Sequence, residues 1–96
     1  MLDIEFDPKK DASNLVKHGI RLARASEFVP VKILEDVRKN YGETRYRGFG
    51  FIGKGAYALA FTVTELKTGG KRVRAISLRP ANEREIEQYG LAKKDR

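Results

Sequence analysis

Cysteine and tryptophan are absent from this 96-residue chain, and histidine and methionine occur once each. Without cysteine there are no disulfides and no thiolate metal sites. A zinc site built on His18 alone would draw its other ligands from carboxylates, so no metal or cofactor is expected. No apolar run approaches the ~18–20 residues that a membrane span requires. The opening Met1-Leu2-Asp3-Ile4-Glu5 is acidic and lacks the apolar core of a secretion signal, which makes a cytoplasmic protein the expectation. Acidic residues are also in short supply. Against 20 Lys and Arg stand 13 Asp and Glu, a net charge of +7. A field of that sign attracts polyanions, whether nucleic acid, anionic membrane or acidic protein, and charge alone does not choose among them.

What is present suits a small globular domain. Hydrophobic residues make up 41% and charged residues 34%, a modest core under a densely charged surface. A single domain is expected over residues 1–90, with a basic tail over 91–96 that ends Lys93-Lys94-Asp95-Arg96.

Leu2-Asp3-Ile4-Glu5-Phe6 alternates as a short strand does. Asp7-Pro8 is a helix start: Asp caps, and Pro at the first position lacks an N–H that would be unpaired there anyway. The predicted helix spans residues 8–18, with Ala12, Leu15 and Val16 on one face, and ends at Gly19. A second helix is predicted over residues 20–29, with Leu22, Ala25, Phe28 and Val29 on its apolar side and Pro30 as its stop. Beyond it the pattern changes to short alternating segments separated by turn signals. Asn40-Tyr41-Gly42, Gly53-Lys54-Gly55 and Gly69-Gly70 punctuate strands near residues 31–37, 43–52, 57–63 and 71–79. Asn82 with Glu85 three positions on resembles a capping box and opens a last helix. The fold class is α+β: two N-terminal helices, an antiparallel sheet of about four strands, and a C-terminal helix, with one sheet face partly open.

Several side chains in this frame could carry chemistry. Residues 67–79 hold Lys67, Lys71, Arg72, Arg74 and Arg79, and no acid follows until Glu83. Strand alternation puts Arg72 and Arg74 on one face with Ile76 and Leu78, and Arg79 on the other unless the strand end twists. Arg45 and Arg47 share a face with Glu43. Brought together by a sheet, such arginines would bind phosphate through paired charge-assisted hydrogen bonds; they would equally serve as a solvated basic face. Glu43 is open to two readings, a general base or a cross-strand ion pair. His18 is either a proton carrier or a helix-terminal cap. Lys9 and Lys10 oppose the helix dipole in the first turn, a small local conflict that hints at use. Tyr41, Tyr46 and Phe49 present rings that stack on bases or pack in a core.

Two segments together resemble the BrnT family of type II toxins, whose members look like the RelE-type ribonucleases. The first is Phe6-Asp7-Pro8-Lys9-Lys10 followed by Asn14-Leu15-Val16-Lys17-His18-Gly19. The second is Arg74-Ala75-Ile76-Ser77-Leu78-Arg79 followed by Ala81, Asn82, Glu85 and Tyr89. Tyr41-Gly42-Glu43 with Arg45 matches between them. Phe6 stands where the family usually has Trp, Ala23 and Arg24 stand where acidic residues are usual, and Pro80 replaces a basic residue.

The resemblance implies a RelE-like fold and a metal-independent ribonuclease that cleaves mRNA, with or without the ribosome. It implies Arg74, Arg79, His18 and Glu43 as catalytic candidates, and Lys9, Lys10, Lys17, Arg45, Arg47 and Arg72 as RNA-binding ones. It also implies a BrnA-type ribbon-helix-helix antitoxin, operator DNA bound through the toxin–antitoxin complex, and no membrane partner. A non-catalytic nucleic-acid-binding module, or an inactive toxin relative kept for regulation, stays open beside it.

Overall fold

The local signals place most elements. The computed structural model describes residues 3–38, 40 and 42–92. Leu2, Tyr41 and the segment from Lys93 to Arg96, to which the sequence assigns strand, stacking and tail roles, lie outside the described residues. Helix α1 runs Pro8–His18; Asp7 accepts a hydrogen bond from the Lys9 N–H at its start, and Gly19 ends it in the left-handed conformation (φ 77°). Helix α2 runs Glu83–Gln88 from a full capping box between Asn82 and Glu85.

The sheet has five strands in the order β1-β5-β4-β3-β2: β1 (Asp3–Glu5), β2 (Val29–Asp36), β3 (Arg45–Ile52), β4 (Gly55–Glu65) and β5 (Lys71–Pro80). It differs from the expected four-stranded antiparallel sheet at one edge. β2 to β5 form the antiparallel meander, but β1 adds to the outer edge of β5 in parallel, with Ile4 opposite Val73. A three-residue strand has no hairpin to announce its partner, and only the crossover through α1 brings it there.

The second helix is also corrected. Residues 22–27 form a 3₁₀-helix instead of an α-helix over 20–29. Leu22 and Ala25, both buried, stand three apart, and a 3₁₀ turn stacks such residues on one side. Phe28 is already extended, and Val29 and Pro30 begin β2. Proline is tolerated there because β2 is an edge strand, and the register slips between Pro30 and Lys32. Opposite Pro30 sits Gly50, where a Cβ would collide with the Val29 carbonyl.

Helix α1 does not dock through its apolar stripe. Ala12, Leu15 and Val16 face solvent, Val16 at 85% exposure, while Asn14 is only 5% exposed. The docked face is polar: Asp11, Asn14 and His18, spaced by three and four. The Asn14 amide donates to the carbonyls of Ile20 (2.8 Å) and Leu78 (2.7 Å), and its oxygen accepts from the Leu78 N–H (3.1 Å). A side-chain amide carries the same groups as a peptide, so Asn14 pairs the edge of β5 beyond the point where β1 stops at Arg74. Asp11 accepts from the Ala23 N–H (2.9 Å) and from Arg21 (3.1 Å), tying α1 to the 3₁₀-helix.

Each face of the sheet has its own core. One holds Ile20, Leu22, Ala25, Ile52, Leu59, Phe61, Val73, Ala75 and Leu78, under the N-terminal helices. Fully buried leucines such as Leu22 and Leu78 contribute about 2 kcal/mol each. The other holds Phe49, Ala58 and Leu91, with Ile86 and Tyr89 of the α2 region packed on them. Leu91, assigned to the tail by its sequence position, is 1% exposed and belongs to this second core. Among the described residues no helix is long and apolar enough to cross a membrane.

Asn14→Ala leaves the Leu78 N–H and carbonyl and the Ile20 carbonyl without partners. The expected loss is about 3 kcal/mol, on the order of 15 °C in Tm, measured by thermal and urea denaturation. Asn14→Asp restores only an acceptor and is expected to recover little of it.

Candidate anion-binding face

The strand β5 changes phase part-way along. Ala60 pairs with Ser77 but Phe61 pairs with Ala75, so Ile76 is an extra residue, a β-bulge. The consequence corrects the alternation argument. Arg72 and Arg74 lie opposite Thr64 and Thr62, and Arg79 lies opposite Ala58, so all three arginines share one face. Leu78, opposite Leu59, turns into the other core. Arg47 on β3 lies opposite Ala60 on the same arginine face, next to Phe49, which lies opposite Ala58; Arg45 is two residues before Arg47. Between Arg47 and Arg79, β4 contributes only the small side chains Ala58 and Ala60, and that leaves room.

α2 covers one end of this face and leaves the rest open. Beside it lies a pocket of about 220 Å³, walled by Arg38, Arg47, Ala60, Ser77 and Arg79 over Phe49. Arg79 is held as a fork against Glu85, at 2.8 and 2.7 Å, while Glu85 also accepts from the Asn82 N–H at 3.0 Å. The Arg79 fork holds the Glu85 carboxyl below its usual range, against the opposing effect of burial, and the Asn82 N–H adds to it. The same pairing raises the Arg79 pKa, so Arg79 is a fixed cation. Arg38 is forked against the buried Asp36 at 2.8 and 2.8 Å. The Arg47 guanidinium lies 5.8 Å from the centre of the Phe49 ring, and its Nε is buried without a hydrogen-bond partner.

The remaining candidates fall elsewhere. Arg74 lies on the arginine face, exposed, 3.1 Å from Glu5; Arg72 is 3.8 Å from the same carboxylate. Glu43 stands before β3 and pairs with Arg45, two residues on, at 3.2 Å, a local ion pair and not a cross-strand one. Lys9, Lys10 and Lys17 are exposed on α1, and His18 is half-buried at its end. None of these four lines the arginine pocket. Tyr46 and Phe49 are engaged in packing: Tyr46 stacks on Phe61, and Phe49, 1% exposed, stacks on Tyr89 at 4.3 Å. Arg38 lines the pocket with no local signal in the sequence, and Ser77 stands out there only as part of the family-like segment. Glu85, which forks Arg79 from outside the pocket lining, is visible in the sequence only as a helix cap.

Fold and site together define a small basic α+β domain with an arginine face on its sheet. A family model for the ribonuclease toxin BrnT of type II toxin–antitoxin systems matches residues 6–85, and the chain belongs to that family. The crystal structure of the Brucella abortus ribonuclease toxin BrnT is similar, with a TM-score of 0.61 over 86% of this chain and 100% of that one. At 23% identity that likeness is one of fold. No curated protein matches the chain.

A carboxylate with a lowered pKa stabilises the fold above its ordinary value, and that contribution is lost as pH falls through the lowered one. Stability should therefore decline as the pH drops below about 4.5, the ordinary glutamate value. Glu85→Gln is expected to start less stable at neutral pH and to lose less over the same acid range, read as Tm against pH.

Proposed function

We propose that this chain is a metal-independent endoribonuclease of RelE-like type that cleaves mRNA and arrests growth, acting as a single toxin domain over residues 1–90 in the cytoplasm. Membership in the ribonuclease-toxin family supports the reaction class. The observation that carries the site is the arginine face, where Arg47, Arg72, Arg74 and Arg79 point the same way with small residues between them.

In the proposed reaction the ribose 2′-OH attacks the adjacent phosphorus and the 5′-oxygen leaves. The products are a 2′,3′-cyclic phosphate and a 5′-OH. A base takes the 2′ proton, cations stabilise the added charge on phosphorus, and an acid returns a proton to the leaving oxygen. Arg74 and Arg79 are assigned to the phosphorus charge. His18 or Glu43 is assigned to proton transfer. Lys9, Lys10, Lys17, Arg45, Arg47 and Arg72 are assigned to the RNA backbone. The proposed partner when silent is a BrnA-type ribbon-helix-helix antitoxin, and the pair would bind operator DNA.

One observation favours the rival reading of a non-catalytic RNA-binding module: among the described residues no histidine or carboxylate lines the arginine pocket. Incubation of purified protein with RNA in EDTA separates the two. Cleavage to 2′,3′-cyclic ends is the expected result; intact RNA held in salt-sensitive complexes is the rival's. Arg74→Ala and Arg79→Ala are each expected to lower the cleavage rate about a hundredfold and to relieve growth arrest. Full activity in both variants would remove the arginine assignment.

A further inference from the structure

We infer that Arg38, to which no role is assigned above, also contacts phosphate as the pocket's third arginine beside Arg47 and Arg79, and that the buried Asp36 is its positioning residue. Together with Arg47 and Arg79 it would hold a single phosphate group of a ribonucleotide in the pocket over Phe49. The inference rests on the proposed RNA reading for the identity of the ligand.

Three observations carry it. First, among the described residues the pocket wall contains three arginines and no carboxylate. The two carboxylates that fork these arginines, Asp36 and Glu85, set their orientation. A cavity walled by like charges is relieved by an anion. Second, the Nε of Arg47 is buried without a partner. A buried N–H left unpaired costs stability, and a ligand oxygen would remove that cost. Third, Arg38 is oriented with more hydrogen bonds than a mobile surface arginine needs. Its backbone N–H (3.2 Å), Nε (2.8 Å) and one terminal nitrogen (2.8 Å) all donate to Asp36. The Asp36 side chain is only 4% exposed, whereas that of Arg38 is 63% exposed. A buried carboxylate thus orients an accessible cation at the mouth of the pocket, where the planar fork suits phosphate oxygens.

Arg38 and Asp36 lie on the side of the pocket towards β2, and Arg79 and Glu85 on the side towards α2. Arg47 rises between them from β3. Ser77, on β5 opposite Ala60, adds a hydroxyl that donates or accepts.

The test is isothermal titration of adenosine 3′-monophosphate, and of orthophosphate, into the natural chain, Arg38→Ala, Arg38→Lys and Lys54→Ala. Lys54→Ala removes the same charge at the distant β3–β4 hairpin. Arg38→Ala is expected to weaken the nucleotide about tenfold, Arg38→Lys to recover part of that, and Lys54→Ala to change it less than twofold. Asp36→Asn is expected to weaken binding in the natural chain and to add nothing in the Arg38→Ala background. In RNA cleavage Arg38→Ala should raise KM, with kcat changed far less. Equal effects of Arg38→Ala and Lys54→Ala would overturn the inference, because the ligand would then sense only net charge. So would RNA cleavage whose KM ignores Arg38. If the natural chain binds the nucleotide through Arg38 but cleaves no RNA, the enzymatic reading fails and the phosphate pocket stands.

Discussion

The arrangement depends on one event in the middle of β5, the extra residue at Ile76, and on the side chain that stabilises it. A strand alternates strictly, so without the bulge Leu78 and Arg79 would exchange faces. Leu78 would leave the core it shares with Leu22 and Leu59, and Arg79 would enter it. On the other side of β5, β1 has already ended at Arg74, which leaves the Leu78 peptide groups at an open sheet edge. Asn14 closes that edge with three hydrogen bonds and in doing so anchors α1. The helix therefore has no use for its apolar stripe in docking, and its buried face is polar.

The arginine face is built by a second constraint, that each cation needs a counter-charge which orients it without occupying the face. Glu5 comes from β1, Glu85 from α2, Asp36 from the end of β2 and Glu43 from the segment before β3. Four elements thus supply carboxylates to arginines on β3, β5 and the segment after β2. Exposed pairs such as Glu5 with Arg74 contribute little to stability. The forks at Asp36 and Glu85 are shielded on the carboxylate side, and there the geometry is held most firmly. Alanine at 58 and 60 keeps β4 low between them. The positive charge is thereby sorted: part is spent in pairs, and part is directed into a space that an anion fits.

Features encoded within a few residues were legible in the sequence. The start at Asp7-Pro8, the end at Gly19, the Gly53-Lys54 hairpin and the Asn82–Glu85 capping box each depend on neighbours that are visible in one window. Features decided by distant partners were not. The parallel pairing of β1, the polar docking of α1 and the burial of Leu91 depend on residues more than thirty positions away. The bulge misled most, since alternation alone sends Arg79 to the wrong face. Pro30 keeps Val29 out of the helical region, but the helix runs only from Leu22 to Glu27, so its shortening is set by packing and not by the proline alone. The site was half legible: Arg47, Arg72, Arg74 and Arg79 stood out as a basic cluster, but Arg38 and its buried anchor Asp36 did not.

The separation of the two basic regions bears on what kind of ligand uses them. Lys9, Lys10 and Lys17 are exposed on α1, which sits at the free edge of β5, while the arginines spread across the sheet face from β5 to β3. A single phosphate can meet the pocket or the helix, not both. A chain of phosphates can follow the sheet face and cross the edge at Asn14, meeting each region in turn. Under the proposed reaction the lysines would then set affinity and salt dependence, through counterion release. Arg74 and Arg79 would act on the phosphate that reacts.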